Sequence, residues 1–211
     1  MKRILMALAV LLAVQVADAQ VKTPDVAKKA VMAAQAASQD AKKATKVATW
    51  LKLASAYMDA YNAPAGAAWL GATKTELQRI MGNEKPRTVE NVNLGGESLT
   101  KEVYANKEFY YNANGQLVMI NVTRPVIEDA LEGARSAYEK AGEVDLKQSK
   151  LKDINAGLEN ISKKYLDEGM NKYTLGDYAG ASVLFEKAAG AAATKPLAKV
   201  DTTALYNSGF T

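Results

Sequence analysis

The stretch from Tyr165 to Ala188, YLDEGMNKYTLGDYAGASVLFEKA, decides the fold of this chain. Its central run is Gly176-Asp177-Tyr178, and small and large residues recur around that run at helical spacings. Tyr165 and Gly169 stand before the run, and the residues that follow it in register are Ala181, Phe185 and Ala188. Small and large residues in this order are typical of two antiparallel helices that interlock, so we predict a helical hairpin with its turn at Gly176.

The segment resembles a tetratricopeptide repeat. In that family, Ala packs where the two helices come close, an aromatic residue fills the gap between neighbouring repeats, and a Gly-Asp turn joins the helices. Glu168 and Lys172 depart from the pattern, because the family usually has Leu and Tyr at those positions. The resemblance implies an α-solenoid that binds proteins or peptides, and it names no particular partner.

A second copy of the signature is divided along the chain. Its first half is the best single match in the sequence and consists of Trp50, Leu53, Ala54 and Tyr57. In that register the next key Ala belongs at position 66, but Pro64-Ala65-Gly66 stands there, and the spacing recurs only at Ala134, Tyr138 and Ala141. We therefore predict one repeat that is split by an insertion at the turn between its helices. Lengthening such a turn costs only about 0.6 kcal/mol for each doubling of the loop length, provided that the two ends of the loop stay close.

The insertion, residues 63–125, has a different character from the helices around it. Thr73 and Glu76 form a capping-box pattern, and Gly82 is a natural end for the short helix that follows. Four β-type segments come next, at 88–94, 99–105, 108–111 and 116–122. The last two flank Asn112-Ala113-Asn114-Gly115, a strong hairpin signal. We predict a small antiparallel sheet packed on the insert helix, with Phe109 and Tyr111 on one face and Tyr110 on the other.

Helical periodicity covers most of the remaining chain. Thr23 is a plausible N-cap for a first helix, a second helix is expected from near Ala41, and Pro125 is expected in the first turn of the helix after the insert. We predict breaks at 142–145 and 190–199, with a long helix at 149–173 between them. The predicted fold is mainly α, with tetratricopeptide-like hairpins and an inserted α+β module. The expected divisions are a signal peptide (1–19), N-terminal helices with the first half of the split repeat (20–62), the insert (63–125), the second half (126–148), a full repeat with an extended first helix (149–195), and the start of a truncated repeat (196–211).

The N-terminus has the three parts of a secretory signal peptide. Lys2 and Arg3 form a basic start, residues 4–14 are apolar, and Ala17-Asp18-Ala19 supplies small residues for cleavage before Gln20. The apolar run is far shorter than the roughly 20 residues that span a bilayer. We expect an exported protein without stable membrane insertion after cleavage. An exported repeat protein of this kind resembles envelope proteins of Gram-negative bacteria, particularly the Bacteroidota, and the final residues suggest a fragment of a longer array.

Composition excludes most catalytic chemistry. The chain contains no Cys and no His, so thiol nucleophiles, imidazole bases and thiolate or imidazole metal sites are absent. The adjacent carboxylates Glu128-Asp129 and Asp167-Glu168 lie on predicted helices, where neighbouring side chains diverge by about 100°. The formal net charge of +4 is dispersed and does not indicate nucleic acid. We expect no enzyme activity, metal or cofactor.

Two binding hypotheses remain open. In the first, an envelope protein or peptide binds the concave faces of the first helices, whose expected contacts are Lys52, Ser55, Tyr57, Asp59, Lys164, Asn171 and Lys172. In the second, the insert is a ligand- or carbohydrate-binding module on a helical stalk, with Tyr110 and Tyr111 exposed on its sheet. The sequence does not identify the ligand or the oligomeric state.

Overall fold

A computed structural model describes residues 21–209, so the predicted signal peptide at 1–19 lies outside the described residues. Within that range the chain forms seven helices and one four-stranded antiparallel sheet. The helices are α1 (Pro24–Gln39), α2 (Val47–Asn62), α3 (Lys74–Met81), α4 (Ala130–Val144), α5 (Leu151–Thr174), α6 (Tyr178–Ala193) and α7 (Thr202–Ser208). The strands, in both chain and spatial order, are β1 (Thr88–Leu94), β2 (Glu97–Val103), β3 (Lys107–Tyr111) and β4 (Leu117–Val122).

Helix α2 begins at Val47, and the predicted start near Ala41 is wrong. The carboxylate of Asp40 accepts hydrogen bonds from the backbone amides of Lys42 and Lys43, each at 3.0 Å. Such local side-chain bonds compete with helix formation and favour a turn. The indole of Trp50 then donates to the carbonyl oxygen of Ala44 at 2.7 Å, which fixes the turn against the first part of α2.

Helices α2 and α4 pack against each other although the insert separates them in sequence. Trp50 and Tyr138 border the same two buried clusters, one shared with α1 and one shared with α5. At the contact, a Cβ atom built on Gly133 would lie 2.6 Å from atoms of the Tyr57 ring. The predicted pairing of these two distant helices is confirmed.

Helices α5 and α6 form the hairpin predicted from the Gly176 turn. Gly176 adopts φ +82°, and the Asp177 carboxylate accepts a hydrogen bond from the Gly180 amide at 3.0 Å. A Cβ atom on Gly169 would lie 2.5 Å from the Phe185 ring, so the small residue permits close approach of the two helices. The same device recurs between α4 and α5, where Gly157 lies against the Tyr138 ring.

Three helix boundaries differ from the predictions. Helix α4 begins at Ala130 and not near Pro125, because Val126 and Ile127 pack on the α1–α2 cluster as an irregular segment. It also continues through Gly142, which packs against the Pro196 ring and does not end the helix. Helix α6 likewise runs through position 190 to Ala193. Helix α7 lies within the expected truncated repeat, but whether it opens a further repeat stays a prediction.

The insert folds much as predicted. Thr73 and Glu76 make both bonds of the capping box, and α3 ends at Gly82 with φ +61°. Leu77 and Met81 of α3 pack against one face of the sheet, which carries Phe109 and Tyr111. The other face, around Tyr110, is covered by Leu175 from the α5–α6 turn. The fold therefore combines helical hairpins with one sheet that lies entirely within the insert.

Candidate functional site

The first helices of the two hairpins, α2 and α5, meet along a polar contact that we call the α2–α5 seam, formed by Tyr61, Lys164 and Glu168. The ammonium of Lys164 lies 5.9 Å from the centre of the Tyr61 ring. The Tyr61 hydroxyl and the Glu168 carboxylate face each other across the seam and interact electrostatically. The side chains of Met58 and Leu166 are partly buried and pack against the buried cluster beneath the seam.

Burial governs the electrostatics of the seam. It raises the pKa of Tyr61, and the nearby Glu168 charge raises it further. Burial also raises the pKa of the Glu168 carboxyl, although the Tyr61 hydroxyl and the charges of Lys187, Lys164 and Lys172 act in the opposite direction. A half-buried carboxylate beside a tyrosine hydroxyl and a lysine can bind the amides and charged side chains of a peptide.

Helix α1 occupies part of the face that was predicted to bind a ligand. Gln35 donates a hydrogen bond to the Tyr57 hydroxyl at 2.6 Å, and Lys22 forms an ion pair with Asp59 at 2.6 Å. The Tyr57 ring also packs against Gly133 of α4. Tyr57 and Asp59 therefore hold α1 and α4 in place.

Two further predicted contacts serve the internal structure. Asn171 donates to the Ile120 carbonyl oxygen at 3.1 Å and so ties α5 to strand β4. Lys172 forms an ion pair with Asp177 at 3.0 Å, across the turn between α5 and α6. Local periodicity placed these residues on a helix face, but it gave no information about the sheet and the turn that they contact. The Lys172 side chain stays 44% exposed.

Of the seven predicted residues, two are exposed and five are half-buried. Lys52 and Ser55 are exposed on α2, and Lys164 is half-buried at the seam. The sequence reasoning did not include Tyr61 or Glu168 among the binding residues. The sequence signal for Glu168 is that the tetratricopeptide pattern, which the segment resembles, usually has Leu at this position.

The aromatic residues of the sheet are core residues. Tyr110 and Tyr111 are each only 2% exposed. The insert-binding hypothesis required both residues to be exposed, and that prediction is wrong. The Tyr110 hydroxyl donates to Glu108 at 2.8 Å, and the Lys74 ammonium lies 4.6 Å from the centre of the Tyr111 ring. Both rings are therefore buried, because α3 packs on the face that carries Tyr111 and Leu175 packs on the face that carries Tyr110.

The carboxylate pairs noted in the sequence point to different partners. Asp129 forms an ion pair with Lys187 at 3.2 Å, whereas Glu168 lies in the seam and Asp167 is exposed. Among residues 21–209, no group of three or more acidic side chains is arranged to hold a metal ion.

Comparisons with family models, with curated proteins and with solved structures find no match to this chain. In the described part of the chain, no helix is both long enough and apolar enough to cross a membrane.

Proposed function

We propose that this chain is a non-enzymatic scaffold of the tetratricopeptide type, exported to the cell envelope, where it binds a protein or peptide along α2 and α5. The single observation that carries the proposal is the packing of α2 on α4 across the insert. That contact joins the N-terminal helices to α4, which packs in turn on α5.

The order of helix packing supports an array of repeats. With the insert set aside, the extensive helix contacts join α1 to α2, α2 to α4, α4 to α5, α5 to α6, and α6 to α7. Each helix therefore packs mainly on its neighbours in chain order. Repeat proteins have this quasi-one-dimensional pattern, and they use the extended surface it creates for binding.

The chemistry of the available surface suits a polar peptide segment. Lys52 offers an exposed ammonium, and Ser55 offers a hydroxyl one turn later on the same helix. At the seam, Lys164 and Glu168 present opposite charges beside the Tyr61 ring. Such a surface binds through several modest contacts, and it contains no arrangement suited to covalent catalysis.

The experiment uses the mature protein and two variants as baits in envelope extract. Each variant replaces one lysine and one uncharged residue with glutamate, so that both carry the same change in net charge. The test variant carries Lys52→Glu with Ser55→Glu on α2. The control variant carries Lys29→Glu with Ala33→Glu on the exposed face of α1. We expect wild type and control to recover the same partner, identified by mass spectrometry, and the test variant to recover at least tenfold less.

Equal recovery by all three baits would contradict binding on α2. Recovery of no specific partner by wild type would contradict the scaffold function itself. A partner retained by the insert alone would instead favour the insert as the binding module, through a surface other than its buried aromatic residues.

A further inference from the structure

The two edge strands of the insert sheet, β4 and β1, differ in how much of their backbone is hydrogen-bonded to other parts of the chain. Beside β4, the amide of Gly71 donates to the Leu117 carbonyl oxygen at 2.7 Å, and the amide of Leu117 donates to the Ala72 carbonyl oxygen at 2.8 Å. Asn171 caps the Ile120 carbonyl oxygen farther along the same strand. The chain itself therefore covers much of the β4 edge.

Strand β1 is the other edge, and it is open. Among residues 21–209 it pairs with β2 alone, and five of its seven residues are exposed. Val89 is 58% exposed although it lies in a strand. Such an edge presents alternating backbone amides and carbonyls that are ready to pair with another strand.

The usual protection of an edge strand is absent from β1. Natural edges carry lysine, proline or a bulge that prevents pairing with another chain. The sequence of β1, TVENVNL, has neither lysine nor proline. Its pairing with β2 keeps one register throughout, and the register shift in the sheet lies at Tyr110–Tyr111 in the β3–β4 pair. Its only charged residue is Glu90.

We infer that β1 pairs antiparallel with β1 of a second copy, so that the two insert sheets join into one sheet of eight strands. A twofold axis perpendicular to the sheet places residues of the same face opposite each other. Centring that axis on Asn91 pairs all seven residues of β1. Glu90 then lies opposite Val92, and Val89 lies opposite Asn93.

Neighbouring registers are less favourable. Centring on Glu90 sets the two identical carboxylates directly opposite each other, which is destabilising. Centring on Val92 runs the first two residues of each strand past the other copy's hairpin turn at Gly95-Gly96. The register centred on Asn91 avoids both problems.

Charge complementarity supports the same register. The exposed residues Lys85 and Arg87 precede β1, and the exposed Glu97 follows the turn at its far end. In the antiparallel pair, the basic start of each strand lies beside the acidic end of the other copy's hairpin. The twofold axis produces this favourable arrangement twice.

The test is sedimentation velocity of the mature protein and two single variants, Asn91→Lys and Asn91→Asp, each verified as folded by circular dichroism. Wild type should be dimeric at about 100 µM, a hundredfold above a micromolar dissociation constant. Each variant sets two like charges opposite each other, so its dissociation constant should rise about fivefold or more. An equimolar mixture of the two variants should return to the wild-type dissociation constant, measured over about 1–100 µM, because lysine then faces aspartate.

The control variant is Asn114→Lys, in the exposed turn between β3 and β4, and it should dimerise like wild type. Hydrogen exchange should slow at 88–94 when the dimer forms. A monomeric wild type at this concentration overturns the inference, as does a mixture whose dissociation constant is no lower than those of the separate, folded variants. Protection of 88–94 that requires an added partner peptide also overturns it, because the occupant would then be an extended peptide of another protein. None of these outcomes depends on the scaffold function.

Discussion

Replacing Gly133 with alanine tests the contact between α2 and α4 at one atom. In an exposed helix, Gly→Ala stabilises by about 1 kcal/mol, because alanine has the higher helix propensity. At Gly133 the new Cβ would lie 2.6 Å from Cε1 and Cζ of Tyr57. The ring has little freedom to move, because it packs against two buried clusters. Overpacking of this kind costs about 1–3 kcal/mol, so we expect a net destabilisation of about 1 kcal/mol.

The sign of the effect should reverse when the ring is removed. In a Tyr57→Ala background, Gly133→Ala should stabilise by about 1 kcal/mol, since only helix propensity then operates. The coupling free energy would be about 2 kcal/mol, within the range for residues in contact. Urea unfolding followed by circular dichroism gives all four free energies of unfolding.

The matched control is Gly190→Ala in α6, where the added Cβ would meet no atom within 4 Å. It should stabilise by about 1 kcal/mol in either background. The reasoning would be refuted if Gly133→Ala stabilised the protein equally with and without the Tyr57 ring.

Three further predictions follow from the sequence and the structure. Thr73→Ala removes the hydroxyl that accepts the Glu76 amide, so it should destabilise the insert by about 1 kcal/mol, measured by urea unfolding; an unchanged midpoint would contradict the capping box. Glu168 has a raised pKa in the folded protein, so folding binds its proton more tightly and its contribution to stability falls as pH rises above the unfolded-state pKa. Glu168→Gln should therefore gain stability relative to wild type between pH 4 and pH 7, and a constant difference in unfolding free energy across that range would argue against the burial of this carboxyl. The exported protein should begin at Gln20, and its intact mass measured by mass spectrometry should correspond to residues 20–211. An intact mass that includes residues 1–19 would exclude cleavage by signal peptidase.

Local signals predicted the individual elements well. The Gly176 turn, the capping box at Thr73 and the Asn-Gly hairpin each depend on residues close together in sequence, and each appears in the structure. The pairing of α2 with α4 was also predictable, because Ala134, Tyr138 and Ala141 repeat a spacing seen elsewhere in the chain.

The candidate site was less predictable, because its exposure depends on contacts between distant segments. Nothing in the periodicity of α2 indicates that Lys22 and Gln35 bind Asp59 and Tyr57. The sheet that engages Asn171 comes from the insert, whose position relative to α5 has no local signature. The predicted start of α2 near Ala41 was wrong for a different, local reason, because the Asp40 carboxylate bonds to the next backbone amides and favours a turn.

The most direct test of the account is a nuclear Overhauser measurement between the Tyr57 ring and the α-protons of Gly133, on selectively labelled protein. The account predicts a strong cross-peak, together with an upfield ring-current shift of the Gly133 α-protons that disappears in Tyr57→Leu. A missing cross-peak and an unshifted Gly133 signal in folded protein would contradict the packing of α2 on α4, and the proposed scaffold with it.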